Sequence, residues 1–422
     1  MTKCLRFLLA LVLICSPPRS AFAQSLAPNQ ELITLEEASE QFLRSNLVLE
    51  AARLEIGVAE AERIGASLRP RPGLTISAEN LRLSGETPSS RLSEYGASVA
   101  QPLELGNRQA RRMELAEKTV AVAEARLTEV IRRRLFDLKH TYYEAVLARA
   151  ILAIEQENSA NFSELVRFNT ARFEEGYVAE GEVIKVRLER LKYDSAVANA
   201  ILAFRQAKVR LLEMIGETDF ERAPRFDVRS RLETPTAILD LTKLREAALA
   251  YRPEIKVAEA EVARSESALK LERSTAKGEV TPYLGYKRVG IDNTVLAGVT
   301  VPLPFGNRNQ GGIARAEAEH HVAETNVRVA RNRALAEVEN AFHAYETARE
   351  QVQTYETGLL KQADESRDIA LALYREGASE LIALLDAQRT RSEVRTNYYR
   401  AVFNYYISIF QLELATGTEI KL

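Results

Sequence analysis

Residues 295–317 read VLAGVTVPLPFGNRNQGGIARAE, and the grammar of the chain changes in the middle of them. Up to Pro302 and Pro304 the pattern is that of a strand. Gly306-Asn307-Arg308 is turn chemistry, and an Ala-, Glu- and Arg-rich stretch then reads as the start of a long helix. A strand cannot run on through proline, while Gly and Asn permit the backbone that a reversal or a helix cap needs. The same move occurs earlier, in residues 96–117, GASVAQPLELGNRQARRMELAE. Pro102 matches Pro302 and Gly106-Asn107-Arg108 matches Gly306-Asn307-Arg308, both 200 positions apart. Twice, then, the chain passes from sheet directly into very long helix.

Working outward, each of these junctions sits inside a repeat. Residues 35–68 read as helix, stopping before Pro70; strands are expected over 73–83 and 94–103, joined by a solvated loop at 84–92 that carries Gly85 and Pro88. From Asn107 helix is expected to about residue 175. Leu127, Ile131, Leu135, Leu138, Tyr142 and Val146 mark one sustained seam, and the helix would be about 100 Å long. Gly176 interrupts it, and helix returns over 180–215 to Gly216. Residues 217–240, with Pro224 and Pro235, form a connector. The order then recurs: helix over 241–275 with a break at Tyr251-Arg252-Pro253, strands over 280–289 and 294–303, and a tight turn at Gly290-Ile291-Asp292-Asn293. Helix resumes after Gly306 on a seam of Val338, Tyr345, Val352 and Leu359, breaks at Gly377 and ends near Ala415, before Gly417. The offset between halves is about 206 in the first helices, 200 at the junctions and a constant 201 along the long helices. The division is therefore 24–216 for the first repeat, 217–240 for the connector, 241–417 for the second repeat and 418–422 for a tail.

Residues 1–23 read as a secretory signal, with Lys3 and Arg6 before an apolar run and Ala21-Phe22-Ala23 as the cleavage site. Ile14 is bulky where a lipoprotein signal carries a small residue, which argues against lipidation of Cys15. Both cysteines, Cys4 and Cys15, fall within the signal, so the exported chain has no thiol for disulfides, catalysis or metal ligation. Without Lys3, Arg6 and Arg19, 54 basic residues face 59 acidic ones, a balance that does not suit nucleic acid. No later run approaches about 18 consecutive apolar residues, so any membrane crossing falls to the strands. Strands of about ten residues are long enough to cross at a tilt. Four per chain cannot close a barrel, and open edges in lipid are not tolerated, so the chain must oligomerise. Three copies give twelve strands and room for a lumen, where eight would fill with side chains. A barrel continuous with a hollow cylinder of helices is a conduit. No G-x-S-x-G, H-E-x-x-H, C-x-x-C or phosphate loop occurs, so neither an enzyme nor a cofactor is expected.

These features resemble the TolC-type outer-membrane efflux proteins over nearly the whole exported chain. The resemblance rests on the duplicated helix–hairpin–helix order, the two Pro–Gly-Asn-Arg exits, the two Phe/Tyr-x-x-Gly breaks at Phe173–Gly176 and Tyr374–Gly377, and Leu384-Leu385-Asp386-Ala387-Gln388-Arg389. It implies a mainly α protein with transmembrane β: a homotrimer whose twelve-stranded outer-membrane barrel sits above a long periplasmic α-barrel. The implied function is the exit duct of a tripartite pump, with a periplasmic adaptor protein and an inner-membrane transporter of the resistance-nodulation-division type as partners. The run from Val301 to Gly312 looks like the cobalt–zinc–cadmium branch, which implies export of divalent metal cations; Gly306 stands where that branch often has a bulkier residue. Multidrug export and type I secretion are the alternatives within the family, and a periplasmic coiled-coil adaptor is the alternative outside it.

By the same resemblance Gly176 and Gly377 mark the helix tips deepest in the periplasm, where adaptor contact and the gate are expected. Glu180, Glu182, Lys185, Ser379, Glu380 and Asp386 join them, and the carboxylates of Glu174, Glu175 and Glu376 add to a ring attractive to cations. Asp386 and Lys185, 201 positions apart, are candidates for ion pairs between subunits. Pro102, Gly106, Asn107, Arg108, Pro302, Pro304, Gly306, Asn307 and Arg308 form the barrel-to-helix junction. His320-His321 invites a metal, but helix neighbours point about 100° apart and a solvated pair is the plainer reading. Arg132-Arg133-Arg134 reads as a salt-bridged face. Tyr95, Tyr283 and Tyr286 are candidates for an interfacial aromatic belt, or for plain strand packing.

Overall fold

The computed structural model describes residues 31–229 and 239–420 apart from positions 82, 85, 87 and 304. The expected signal, Gly85, Pro235 and Pro304 lie outside the described residues. A short strand β1 (Glu31–Ile33) leads to α1 (Leu35–Ser45) and α2 (Leu47–Ser67). Thr34 and Glu37 form a reciprocal capping box at the start of α1. The expected single helix is broken at Asn46, whose side-chain oxygen accepts from the N–H groups of Val48 and Leu49 and so starts α2.

Strand β2 (Gly73–Glu79), a one-turn helix α3 (Ser89–Leu92), β3 (Glu94–Ala100) and β4 (Leu103–Glu104) follow, then α4 (Arg108–Glu174) and α5 (Glu180–Met214). A 3-10 turn (Phe220–Arg225) and β5 (Phe226–Val228), parallel to β1, occupy the connector. The second half has α6 (Leu241–Tyr251), α7 (Pro253–Thr275), β6 (Glu279–Val289), β7 (Asp292–Thr300), α8 (Gln310–Thr354), a π turn (Tyr355–Leu359), α9 (Leu360–Arg375) and α10 (Leu381–Thr416). Two helices, a hairpin and two long helical arms thus occur twice. The helix breaks at Asn46 and Arg252 keep the 206-residue offset. The first hairpin is shorter than expected: β2 ends at Glu79 because Asn80 takes a left-handed backbone (φ 54°). The second turn is tighter than expected, since Val289 pairs with Asp292 and only Gly290 and Ile291 form the loop.

Strands β2, β3, β6 and β7 form one antiparallel sheet, each beside the next, and β4 continues the line of β3 against the start of β6. Directly paired residues share a face. One face carries the rows Leu74, Val99, Leu284, Ala297 and Ile76, Ala97, Tyr286, Val295; the other carries Thr75, Ser98, Gly285, Leu296 and Ser77, Gly96, Lys287, Thr294. The apolar face is the uncovered one: Ile76 and Val295 are each 77% exposed and Leu74 is 66% exposed. Among the described residues β2 and β7 each pair on one side only, so the sheet is open at both edges. No described helix is long and apolar enough to cross a membrane.

Below the sheet α2 packs on α4, α4 on α7 and α7 on α8; farther along, α5 packs on α4, α4 on α10 and α10 on α9. The main core lies between these levels, where α1, α4, α5, α6, α8, α10 and the β1–β5 pair meet around Phe42, Leu138, Tyr142, Leu211, Phe226, Val338, Tyr345 and Tyr405. In each half the return helix docks its end on the break between the two short helices. Gly216 (φ 81°) lies against Ser45 and Asn46, and a Cβ there would meet the Ser45 carbonyl oxygen at 2.2 Å; Gly417 (φ 83°) lies against Tyr251 and Arg252 in the same way. Asn46 Nδ2 also donates to the Met214 carbonyl, closing the end of α5. Arg132, from the expected salt-bridged face, instead donates to the Gly417 and Glu413 carbonyls and closes α10.

The offset along the long helices is not constant. Leu138, Thr141 and Ala145 are buried, and so are Val338, Ala341 and Tyr345, 200 positions on. Beyond the π turn, Phe162 and Ala363 are the buried pair at an offset of 201, the offset of Gly176 and Gly377. One extra residue therefore enters the second half between 345 and 363. The expected seam position Leu359 falls in the π turn and is 39% exposed.

Candidate functional site: helix tips and strand exits

At the first tip the N–H groups of Gly176 and Tyr177 donate to the carbonyls of Phe173 (2.9 Å) and Arg172 (2.8 Å). At the second, Gly377 and Ala378 donate to Tyr374 (3.1 Å) and Leu373 (2.9 Å). This reciprocal pair ends a helix on a left-handed residue, and both glycines have φ near +80°. No atom lies within 4 Å of a Cβ at Gly176, so the backbone alone demands glycine there. A side chain in that conformation costs about 1–2 kcal/mol.

Of the tip residues expected from sequence, Glu174, Glu175, Glu180, Glu376 and Glu380 are exposed, and Ser379 and Glu182 are half-buried. Lys185 on α5 and Asp386 on α10 are exposed; among the described residues neither forms an ion pair. Glu182 instead turns toward Tyr374, the first residue of the second break motif. The buried Tyr374 hydroxyl lies between the Asn169 side-chain oxygen and Glu182 Oε2 (3.2 Å). Burial, reinforced by the Glu182 carboxylate, pushes Tyr374 up to about 12. Arg172 donates to the Tyr374 carbonyl and lies over the Phe168 and Tyr374 rings.

Behind this contact Phe162, Val186, Leu381, Leu384 and Leu385 form a second buried cluster. Next along the arms, Arg391, only 4% exposed, pairs with Asp364 (2.6 Å) and Glu157 (2.8 Å), and Arg395 adds a bond to Glu157 (2.9 Å). Burial opposes ionisation of Asp364, yet the two guanidiniums hold its carboxyl below the usual range. The first arm pair (α4, α5) is thus fastened to the second (α9, α10) by polar groups at the tip and by ion pairs behind it. Between α4, α9 and α10 an open groove of about 200 Å³ has Phe162, Leu165, Leu371 and Leu384 in its walls and Arg367 and Arg375 beside them.

At the strand exits the two expected junctions differ. Pro102 follows β3; Gly106 (φ 70°) packs on Lys277, and Asn107, left-handed at φ 58°, precedes Arg108, the first residue of α4. In the second half that role belongs to Asn309 (φ 58°), not to the sequence-matched Asn307, whose side chain accepts from the Asn309 N–H (3.0 Å). Gly306 keeps a left-handed backbone (φ 82°), Arg308 donates its N–H to Gln310, and Pro302 lies against Gly278. The strongest side-chain contacts come from residues outside the motif. Arg112 holds Glu104 with both terminal nitrogens (2.6 and 3.2 Å) and donates to the Ala66 and Leu68 carbonyls, tying α2, β4 and α4 together. Asn309 Nδ2 bonds the Glu272 carbonyl (3.0 Å) and carboxylate (2.6 Å), and Gly312 leaves the room for that contact.

His320 bonds Ser265 through Nδ1 (3.0 Å) and shares Glu324 with His321. Among the described residues no three His, Asp or Glu side chains gather as a metal site. Tyr95 and Tyr286 lie on the exposed apolar face of the sheet. Tyr283 does not: it lies on the opposite face, over Gly298, where it covers a position without a side chain.

The family model described as "Outer membrane efflux protein" matches residues 38–217 and 244–418. The chain is 24% identical over 391 residues to the cobalt-zinc-cadmium resistance protein CzcC of Cupriavidus metallidurans, covering 91% of this chain and 90% of that protein. It is 29% identical over 307 residues to the nickel and cobalt resistance protein CnrC of the same organism, 70% of each. In structure it is similar to the CmeC outer membrane channel of Campylobacter jejuni, with a TM-score of 0.75 at 17% identity over 91% of this chain and 85% of that one; the likeness is one of fold.

The tip contact has a pH signature. A tyrosine whose ordinary value is 10.0 and which is raised to about 12 stabilises the folded tip fully below pH 10 and loses that contribution as pH rises toward 12. Tyr374→Phe is expected to weaken the tip by about 1–3 kcal/mol at neutral pH, because Glu182 and Asn169 lose a partner. It should also flatten the alkaline step. Limited proteolysis of the tips from pH 7 to 12 reads both, and identical profiles for the variant and the parent would contradict the assignment.

Proposed function

The chain belongs to the outer membrane efflux protein family, and from that membership we propose that it is the exit duct of a tripartite pump that exports divalent heavy-metal cations. One observation carries the duct: a four-stranded sheet whose apolar face is bare and whose two edges are unpaired among the described residues runs directly into helices too long for one globular core. Lipid covers such a face, and neighbouring copies cover such edges. In this reading three copies close a twelve-stranded barrel, β2 of one against β7 of the next.

The helical arms carry matching edges. α5 exposes Ile184, Leu188 and Leu191 beside Lys185 and Arg187, while α9 exposes Ile369 and Leu373 beside Glu365 and Asp368. Exposed apolar stripes on two arms of the protomer, the one on α5 flanked by Lys185 and Arg187, suit a ring of copies. The tips from Gly176 to Lys185 and from Gly377 to Asp386 form the gate and meet a periplasmic adaptor, and an inner-membrane transporter of the resistance-nodulation-division type supplies the energy. The cargo assignment is supported by the resistance functions in the names of the two Cupriavidus relatives. The chain itself performs no chemistry. Its two halves, 24–216 and 241–417, are repeats of one unit about the connector at 217–240.

Growth of a deletion strain on zinc, cobalt, cadmium and nickel, beside a panel of drugs and detergents, tests the cargo. Sensitivity confined to the metals is expected, and sensitivity to drugs alone would move the proposal to multidrug export. For the gate, Asp386 of one copy pairs with Lys185 of its neighbour in the closed duct. Asp386→Ala should raise the frequency of spontaneous openings in planar bilayers about tenfold, the effect of about 1.4 kcal/mol; an unchanged record removes that pair from the gate.

A further inference from the structure

We infer that the π turn at Tyr355–Leu359 is a one-residue insertion that serves as the hinge of the second arm. A π turn marks a residue added to an α-helix whose packing on either side is kept. Before the turn Leu138, Thr141 and Ala145 match Val338, Ala341 and Tyr345 at an offset of 200; after it the buried pair Phe162 and Ala363 and the left-handed glycines Gly176 and Gly377 stand at 201. Only the second arm carries the device, for α4 runs 67 residues without interruption.

Its place fits a hinge. The buried part of the main core reaches Val352, with Tyr355 of the turn packed half-buried against it, and the tip cluster begins beyond Ala363; no residue of the turn is fully buried. Gly358 lies within the turn, with a negative φ and room for a methyl group, so its use there is not forced by backbone conformation. Laterally, the Tyr398 hydroxyl of α10 donates to Glu356 Oε1 (3.0 Å), and the Tyr355 and Tyr398 rings meet edge to face at 6.3 Å. A helix with one weakened turn between two packed clusters bends at that turn. The bend moves α9 relative to the α4–α5 pair, and the contacts of Tyr374 with Glu182 and Arg172 lie at its far end. That this motion opens a duct rests on the proposed function; the hinge itself does not.

Deletion of Gly358 tests both. Removing the inserted residue restores an offset of 200 throughout, so the variant should fold, assemble and keep its tip cluster, with a continuous α-helix through the deletion. Spin labels at Gln362 on α9 and Arg187 on α5 of the full chain, diluted with unlabelled chain, should give a narrower distance distribution in the deletion variant than in the parent. Gly358→Ala, which keeps the residue count, should match the parent. In bilayers the deletion should lower the frequency of full openings about tenfold, and Tyr398→Phe, which frees the turn, should raise it. A deletion variant that fails to assemble, or whose label distances are as broad as the parent's, overturns the hinge. Narrowed distances without any conductance in the parent would leave the hinge standing and remove the duct.

Discussion

A peptide group surrounded by hydrocarbon must find its hydrogen bond within protein, because an unpaired one costs several kcal/mol. Much of this molecule follows from that rule. Its sheet presents Leu74, Ile76, Leu284 and Val295 outward and keeps Ser77, Thr75, Lys287 and Thr294 on the other face. In a soluble protein such a face would be the buried one. Here it is bare, and among the described residues the strands at both sides end in unpaired edges, which is the ground for the proposed closure by neighbouring copies. The helical arms repeat the statement, with exposed apolar stripes on α5 and α9.

The middle of the molecule supplies what the ends lack. Core residues from both halves meet where the return helices dock on the breaks at Asn46 and Arg252, and Gly216 and Gly417 permit contact at backbone distance. Anchored there, the arms extend away without a broad core and rely on a second, smaller cluster and on the Arg391–Asp364–Glu157 group. A firm centre and lightly fastened tips are what a duct with a movable end requires. The two long helices that leave the sheet differ: α4 is continuous, while a π turn divides α8 from α9, and that turn is the inferred hinge.

The repeat was legible because helix breakers and strand ends have strong local chemistry. Gly176 and Gly377 stop helices for a reason that a single residue states, and Pro102 and Pro302 stop strands in the same way. What was not legible depends on packing. Asn46 looks like any polar helix residue until the end of α5 is placed beside it. Asn309 rather than Asn307 caps α8 because its side chain reaches Glu272, a contact between segments 37 residues apart. Tyr283 and Tyr286 are three apart on one strand and so fall on opposite faces, which a belt drawn from composition overlooks. The π turn is hidden in a one-residue change of offset, and Leu359 leaves the seam that its seven-residue spacing predicts.

The central claim is that the face bearing Ile76 and Val295 meets lipid and the face bearing Ser77 and Thr294 does not. The chain has no tryptophan, so single tryptophans can be read without background. Ile76→Trp, Val295→Trp, Ser77→Trp and Thr294→Trp would be placed one at a time in the assembled protein, reconstituted in bilayers of brominated lipid. The account predicts strong quenching at 76 and 295 and weak quenching at 77 and 294. Equal quenching at neighbouring positions, or none at any of the four, would contradict it.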